Sequence, residues 1–273
     1  MLGETLTRAP LGPQGIPGDR AWAIRDETRG GIRGGKKIPE LMRCSARYLE
    51  DVGSSPAPAA EIRTPEGDRF LSNDADANEQ LSKSLGQKVS LWPLLPADAL
   101  DHYRRGAPDD PDFEKELRAT FAREPGEALP ELGKFPPEIF EYESPPGTYF
   151  DAFPLLIMTT TSLAHLQSVA TRSRFDVRRF RPNVLIEPVA SATPFPENDW
   201  VGGHLEIGDA RIEVAMECPR CVMTTHGFDD LPKDPAIMRV LVSAASGNLG
   251  VYASVAAQGT LEVGAPVTWS KTS

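Results

Sequence analysis

Segments in which apolar and polar residues alternate, each closed by a turn rich in Gly, Pro or Asp, dominate both ends of this chain and constrain its fold most. Successive side chains of a strand point to opposite faces, so a period of two marks half-buried strands and predicts a β-rich protein. Arg20-Ala21-Trp22-Ala23-Ile24-Arg25 follows Pro17-Gly18-Asp19, which sets Arg20 at the start of a strand. Glu61-Ile62-Arg63 is predicted to pair with Arg69-Phe70-Leu71 across the turn Pro65-Glu66-Gly67-Asp68. Residues 204–207 and 211–214 flank Gly208-Asp209, a strong hairpin signal.

Helices are expected to be fewer. Residues 112–123 place Phe113, Leu117 and Phe121 on one face, with Glu114 and Arg118 as a surface pair. Asp110 is the expected cap, with Pro111 at the first helical position. Residues 76–85, closed by Gly86, and 161–169, with Leu163, Leu166 and Val169 inward, are further predicted helices. The stretch 125–146 is proline-dense and acidic, and its Pro136-Pro137 and Pro145-Pro146 pairs suit neither a helix nor a central strand. The chain thus divides into a β-rich part, 1–100, a helical and proline-rich bridge, 101–147, and a C-terminal part, 148–273.

With 273 residues, 40% of them hydrophobic, the chain is long enough for a sizeable core. Its net charge of -10 argues against nucleic acid or an anionic membrane as partner, since both need a basic footprint. No apolar run approaches the ~20 residues that span a bilayer, and the N-terminus lacks a signal-peptide pattern. Three cysteines, Cys44, Cys218 and Cys221, are too few for a disulfide framework, and a reducing, cytoplasmic setting is expected.

Glu217-Cys218-Pro219-Arg220-Cys221 brings two thiols and a guanidinium together where a predicted strand runs into a loop. A thiolate ligates soft metals, and a neighbouring Arg lowers the cost of its negative charge. A zinc site would need a second pair of Cys or His ligands, which His226 alone does not supply. A thioredoxin-like pair would head a helix, whereas Thr224-Thr225-His226-Gly227 is a poor one. Two incidental thiols in a turn are the remaining alternative.

Arg172, Arg174, Arg178, Arg179 and Arg181 form a candidate anion site in an acidic chain, with Asn183 able to donate to and accept from a heterocycle edge. A solvated charged face paired with Asp176 is the competing reading. Residues 30–37, Gly-Gly-Ile-Arg-Gly-Gly-Lys-Lys, nearly match a Walker A loop, but Lys37 stands where Ser or Thr should hold magnesium. A basic loop near an anionic ligand or solvent is the better expectation. Asp151, beside an apolar strand, is either a polar group of a site or a turn residue.

Taken in order, G-x-P-G-D-R-x-W at Gly15 to Trp22, F-R-P-N at Phe180 to Asn183, F-x-E-x-x-W at Phe195 to Trp200, C-x-R-C-x-x-T-T at Cys218 to Thr225 and N-L-G-V-Y at Asn248 to Tyr252 resemble the molybdenum cofactor sulfurase C-terminal (MOSC) family over most of the chain. The resemblance implies an α+β, β-rich fold: a MOSC-type β-barrel packed with an N-terminal β-barrel-like module and a few helices. It implies that Cys221 ligates the metal of a molybdenum cofactor (molybdopterin). Arg20, Arg181, Asn183 and Arg220 would contact the pterin and its phosphate, and Asp151 would lie near the metal on the substrate side. The implied reaction, that of the amidoxime-reducing branch, is two-electron reduction of a small N-hydroxylated or N-oxide compound. Its electrons would come from a separate ferredoxin-, flavodoxin- or cytochrome b5-like donor.

Members of the family usually open with a strand ending in a Lys-Ser pair that helps hold the phosphate. This sequence starts at Met1-Leu2-Gly3-Glu4, after the corresponding point, so the expectation is that the first strand and one anchor are missing from it. It also ends at Ser273 with no ferredoxin-like donor fused to it, so another chain is expected to deliver electrons. Alternative readings are a persulfide (sulfur) carrier, a molybdenum cofactor carrier or transferase, and a non-catalytic binding module; the wider resemblance also takes in pyridoxal phosphate binding.

Overall fold

The computed structural model describes residues 1–50, 52, 57–190 and 193–271. The N-terminal part carries β1 (Arg8–Leu11), β2 (Trp22–Asp26), β3 (Ser45–Tyr48), β4 (Ala60–Arg63), β5 (Arg69–Leu71) and β6 (Val89–Pro93), with helix α1 (Ala77–Leu85). Two short helices, α2 (Leu100–Tyr103) and α3 (Phe113–Phe121), lie in the bridge. The C-terminal part carries β7 (Leu155–Thr159), β8 (Val184–Ile186), β9 (Gly203–Ile207), β10 (Ala210–Pro219), β11 (Asn248–Ala257), β12 (Gly259–Glu262) and β13 (Val267–Lys271), with α4 (Thr160–Val169) and α5 (Ala236–Ala245). The class is α+β and β-rich, with a curled half-barrel as its largest sheet.

That sheet runs β13-β9-β10-β11-β7-β8, antiparallel except for the β7–β8 pair that α4 connects. The β9–β10 hairpin closes on Gly208-Asp209 with Ala210 opposite Ile207, as the turn residues predict. In β10 alternation buries Ala210, Ile212, Val214, Met216 and Cys218, and the first three mesh with Leu155, Ile157, Leu205, Val251 and Ala253 in one core. All five residues of β7 are buried, the pattern of a strand covered on both faces. Its other side meets α4 and α5 in a second core of Met158, Leu166, Phe180, Ile237, Leu241 and Leu249. Register shifts between β10 and β11 at Val214/Met216 and Glu217/Pro219 bend the end of β10, a common way to re-aim side chains at a sheet rim.

The N-terminal module packs the β3-β4-β5 sheet and the β2–β6 pair around α1, with Ile24, Leu41, Ile62, Phe70, Leu81 and Val89 inside. The β4–β5 hairpin forms in the expected register, Ile62 opposite Phe70. β1 leaves this module and pairs with β12, Arg8 opposite Glu262, so the start of the chain is sewn to its far end. The glycine-rich loop after β2 is clamped on the bridge. A Cβ on Gly106 would fall 1.6 Å from the Gly30 carbonyl oxygen, and Arg33 donates to Ala107 O and Asp109.

Several local expectations change. Asp112, not Asp110, caps α3 by accepting from the Lys115 amide, because the Asp110 carboxylate already accepts from the Asp112 amide. The Glu114–Arg118 pair forms, but Phe113 is 64% exposed, since the first turn of α3 projects from the body. Val169, at the last residue of α4, points to solvent, while Leu166 is fully buried. The stretch 125–146 contains two 3-10 turns, Leu132–Lys134 and Pro137–Phe140, and no α-helix or named strand. No described helix is long and apolar enough to cross a membrane.

Candidate metal and anion site

Two turns bring cations to one cavity. In the first, Gly12 and Gly15 exchange backbone hydrogen bonds, and Gly15 and Gly18 take positive φ, 97° and 81°. Tyr48 Oη donates to the Gly18 carbonyl at 2.6 Å. The chain leaves this turn through Arg20, which precedes β2 with φ 52° rather than beginning the strand. The second turn passes through Arg181, also left-handed at φ 55°. A non-glycine residue pays about 1–2 kcal/mol for that conformation, so both guanidinium groups are aimed at a backbone cost. Asn183 locks the two turns together: Nδ2 donates to Asp19 Oδ2 at 2.8 Å, and Oδ1 accepts from the Leu156 amide at 3.0 Å.

The thiol arrives from the other side. β10 ends at Pro219, and the next residue, Arg220, is buried. Its Nε donates to Leu249 O at 2.8 Å and Nη1 to Phe180 O at 3.2 Å, with the guanidinium over the Phe180 ring. One side chain therefore ties the Cys loop to the N-L-G and F-R-P segments. Cys221 follows, half-buried, before the 3-10 turn Val222–Thr225, whereas Cys218 on the inward face of β10 is buried.

Cys221, Asp151, Lys36, Arg20, Arg181 and Asn183 all line one cleft of about 2220 Å³ between the N-terminal module and the large sheet. Lys36 Nζ and Asp151 Oδ1 meet across it at 2.9 Å. A smaller space of about 30 Å³, lined by Arg20, Asp151, Arg181, Asn183, Arg220 and Tyr252, has room for a water molecule. Among the described residues no three His, Cys, Asp or Glu side chains come together as a metal cage, so Cys221 stands as a single thiol.

The Lys36 ammonium, aided by Arg20 and Arg181 against the effect of burial, holds the Asp151 carboxyl well below the usual carboxylate range. The same pairing raises Lys36. Burial pulls Arg20 down, yet Asp19 and Asp151 outweigh it and the net shift is upward. Burial and then Arg20 lower Arg181, which nevertheless remains cationic. Burial pushes the Cys221 thiol up, with Lys36 as its main opponent. An unligated Cys221 is thus a protonated thiol at neutral pH, and a bound metal ion would supply the positive charge that a thiolate needs.

The residues singled out in the sequence fare differently. Arg20, Asp151, Arg181 and Cys221 present their groups to the cleft, while the side-chain hydrogen bonds of Asn183 and Arg220 go to protein partners. Arg178 pairs with Asp176, Asp229 and Asp230, and Arg174 with Asp230. Arg179, fully buried, donates to the carbonyls of Arg174, Thr224, His226 and Pro232. Sequence reasoning did not single out Lys36; its basic, glycine-rich loop was the signal. Glu197 of the F-x-E-x-x-W phrase is fully buried and accepts from Thr159 and Ser162 at the start of α4.

Residues 145–268, which carry most of the curled sheet and the Cys loop at its rim, match the family model described as the MOSC domain. The chain is 27% identical over 271 residues to the mitochondrial amidoxime reducing component 2 of Bos taurus, covering 91% of this chain and 72% of that one. It is 33% identical over 132 residues to the Homo sapiens protein of that name, 44% and 38% of the two chains. It is also 25% identical over 281 residues to the molybdenum cofactor sulfurase of Danio rerio, 90% of this chain but 29% of that one.

Proposed function

We propose that this chain binds a molybdenum cofactor (molybdopterin) and works as an oxidoreductase that reduces N-hydroxylated or N-oxide compounds, with Cys221 as the protein ligand to the metal. One observation carries the reading. A half-buried thiol and two backbone-strained arginines face the same cleft, a donor set matched to a metal at one end of a ligand and a phosphate at the other. The likeness to the amidoxime reducing components supports the reaction class.

When bound, the cofactor supplies a metal centre capable of two-electron chemistry. Arg20 and Arg181 hold its phosphate through charge-assisted hydrogen bonds. Arg220 and Asn183 act one layer behind, fixing the Cys loop and the two turns. Asp151, ionised on the cleft wall, accepts from an N–H of the substrate and orients its N–O group. Electrons come from a separate ferredoxin-, flavodoxin- or cytochrome b5-like protein, and the cytoplasm, where the three free cysteines stay reduced, is the proposed compartment.

Protein purified from a cofactor-competent host is expected to contain molybdenum, and Cys221→Ser to lose it. If wild type and variant are equally free of metal, the assignment fails. A second reading, a carrier of persulfide sulfur or of the cofactor, is favoured by the likeness to a molybdenum cofactor sulfurase. Mass spectrometry that finds a persulfide on Cys221 without bound pterin decides for it.

A further inference from the structure

Asp151 has three cationic neighbours, Lys36, Arg20 and Arg181, yet among the described residues its only direct side-chain partner is Lys36. The carboxylate lies in the irregular segment before β7, between buried Phe150 and Ala152, and about half of its side chain faces the open cleft. No strand ladder fixes its direction. A carboxylate free to turn beside two arginines would pair with one of them, because the planar guanidinium fork binds carboxylate bidentately and an ammonium does not. Such a pair would neutralise a cation that an external phosphate needs.

Lys36 arrives on a rigid arm. Neighbouring Arg33 is buried and bonded to Ala107 O and Asp109, Lys37 pairs with Asp109 at 3.0 Å and with Glu116, and Gly31 packs directly on Gly106. The loop is therefore anchored to the bridge without Lys36, whose ammonium is left to reach across the cleft.

We propose that Lys36 is a positioning residue: by holding Oδ1 of the Asp151 carboxylate it keeps that carboxylate off Arg20 and Arg181 and leaves the two arginines to take the anionic end of a ligand. This rests on the reading of those two arginines as phosphate holders. It assigns Lys36 no contact with the anion, and it makes the N-terminal loop a working part of a site whose thiol belongs to the MOSC domain.

The test is inorganic phosphate binding by the full, cofactor-free chain, measured by titration calorimetry in a double-mutant cycle. Lys36→Met is expected to weaken phosphate binding about tenfold in the wild-type background, the size of effect contacting charges show. The same change made in an Asp151→Asn background should have almost no effect, and Lys36→Arg should restore binding to within about threefold of wild type. Equal losses in both backgrounds would show that Lys36 acts on the anion itself and would overturn the proposal. So would unchanged binding in Lys36→Met, or a wild type that takes up no phosphate. Melting temperatures without phosphate confirm that each variant is folded, and if Lys36→Met is not, Lys36→Gln takes its place in the cycle. Molybdenum content, read separately, judges Cys221, so the two readings fail independently.

Discussion

Glycine at position 181 should stabilise the protein relative to alanine, the reverse of the usual order. Arg181 sits at φ 55°, where a side chain costs about 1–2 kcal/mol and glycine costs nothing. Glycine also loosens the unfolded chain, which takes back about 0.5–1 kcal/mol. The central values leave a net advantage of roughly 0.75 kcal/mol for Arg181→Gly over Arg181→Ala, within a span of about 0–1.5 kcal/mol. At about 2–4 °C per kcal/mol for a chain of this size, the glycine variant should melt roughly 1.5–3 °C higher. Lys83, exposed inside α1, is the control, and there glycine should be about 1 kcal/mol worse than alanine. Thermal unfolding of the four cofactor-free variants decides. If alanine beats glycine at 181 by the margin seen at 83, the arginine is not held in a strained conformation and the argument that the fold aims it fails. Both substitutions at 181 should weaken phosphate binding, because both remove the guanidinium.

Gly250 has φ 74°, and a Cβ there would fall 2.6 Å from both Ile157 O and Met158 Cγ, so Gly250→Ala should cost about 3 kcal/mol or more. Gly264, with φ 86° but open space around it, should lose only about 1 kcal/mol on the same change; equal denaturation midpoints would contradict the packing of β11 on β7. The Lys36–Asp151 clasp also has a pH window. The folded Asp151 carboxyl titrates below its unfolded value of about 4, so its contribution is present above that pH and is lost as the pH falls further. Lys36 is raised, so its contribution is complete below its unfolded value of about 10.4 and fades only above it. The coupling between Lys36→Met and Asp151→Asn in thermal stability should therefore stay flat from pH 5 to about 9, collapse in acid and fade again in strong alkali; a midpoint near neutrality would contradict the pairing.

Local rules made the strands legible. The β4–β5 and β9–β10 hairpins follow from alternation plus two turns, and α1 ends at its glycine as expected. Where two local signals competed the outcome was less legible: Asp110 and Asp112 are both good caps, and the hydrogen bond between them decides which one serves. β1 left little trace in the sequence, because four residues containing a proline become a strand only when a partner edge 250 residues away is supplied. The candidate site was legible as residue types. Its thiol, its arginines and its carboxylate could be named, but not what each would touch. Asn183 and Arg220 could be named as candidate cofactor contacts, but the sequence did not show that their hydrogen bonds run to Asp19, Leu156, Leu249 and Phe180 while both line the small space beside Arg20 and Arg181.

The sequence by itself determined the class of fold and the chemistry on offer, because hydrophobic period, turn residues and the presence of a thiol beside a guanidinium are properties of short stretches of chain. Tertiary structure alone decided which arginines remain available. Arg174 and Arg178 are bound to acids and Arg179 to carbonyls, so that even Arg178 at the cleft wall is committed, while Arg181 and Arg20, the latter 4.0 Å from Asp19, face the cleft. It alone brought Lys36 to Asp151 across 115 positions of sequence. The physical reason is range. Strand period and turn geometry are set between neighbours along the chain, whereas the partner of a charge is whatever the packed fold places within about 4 Å of it.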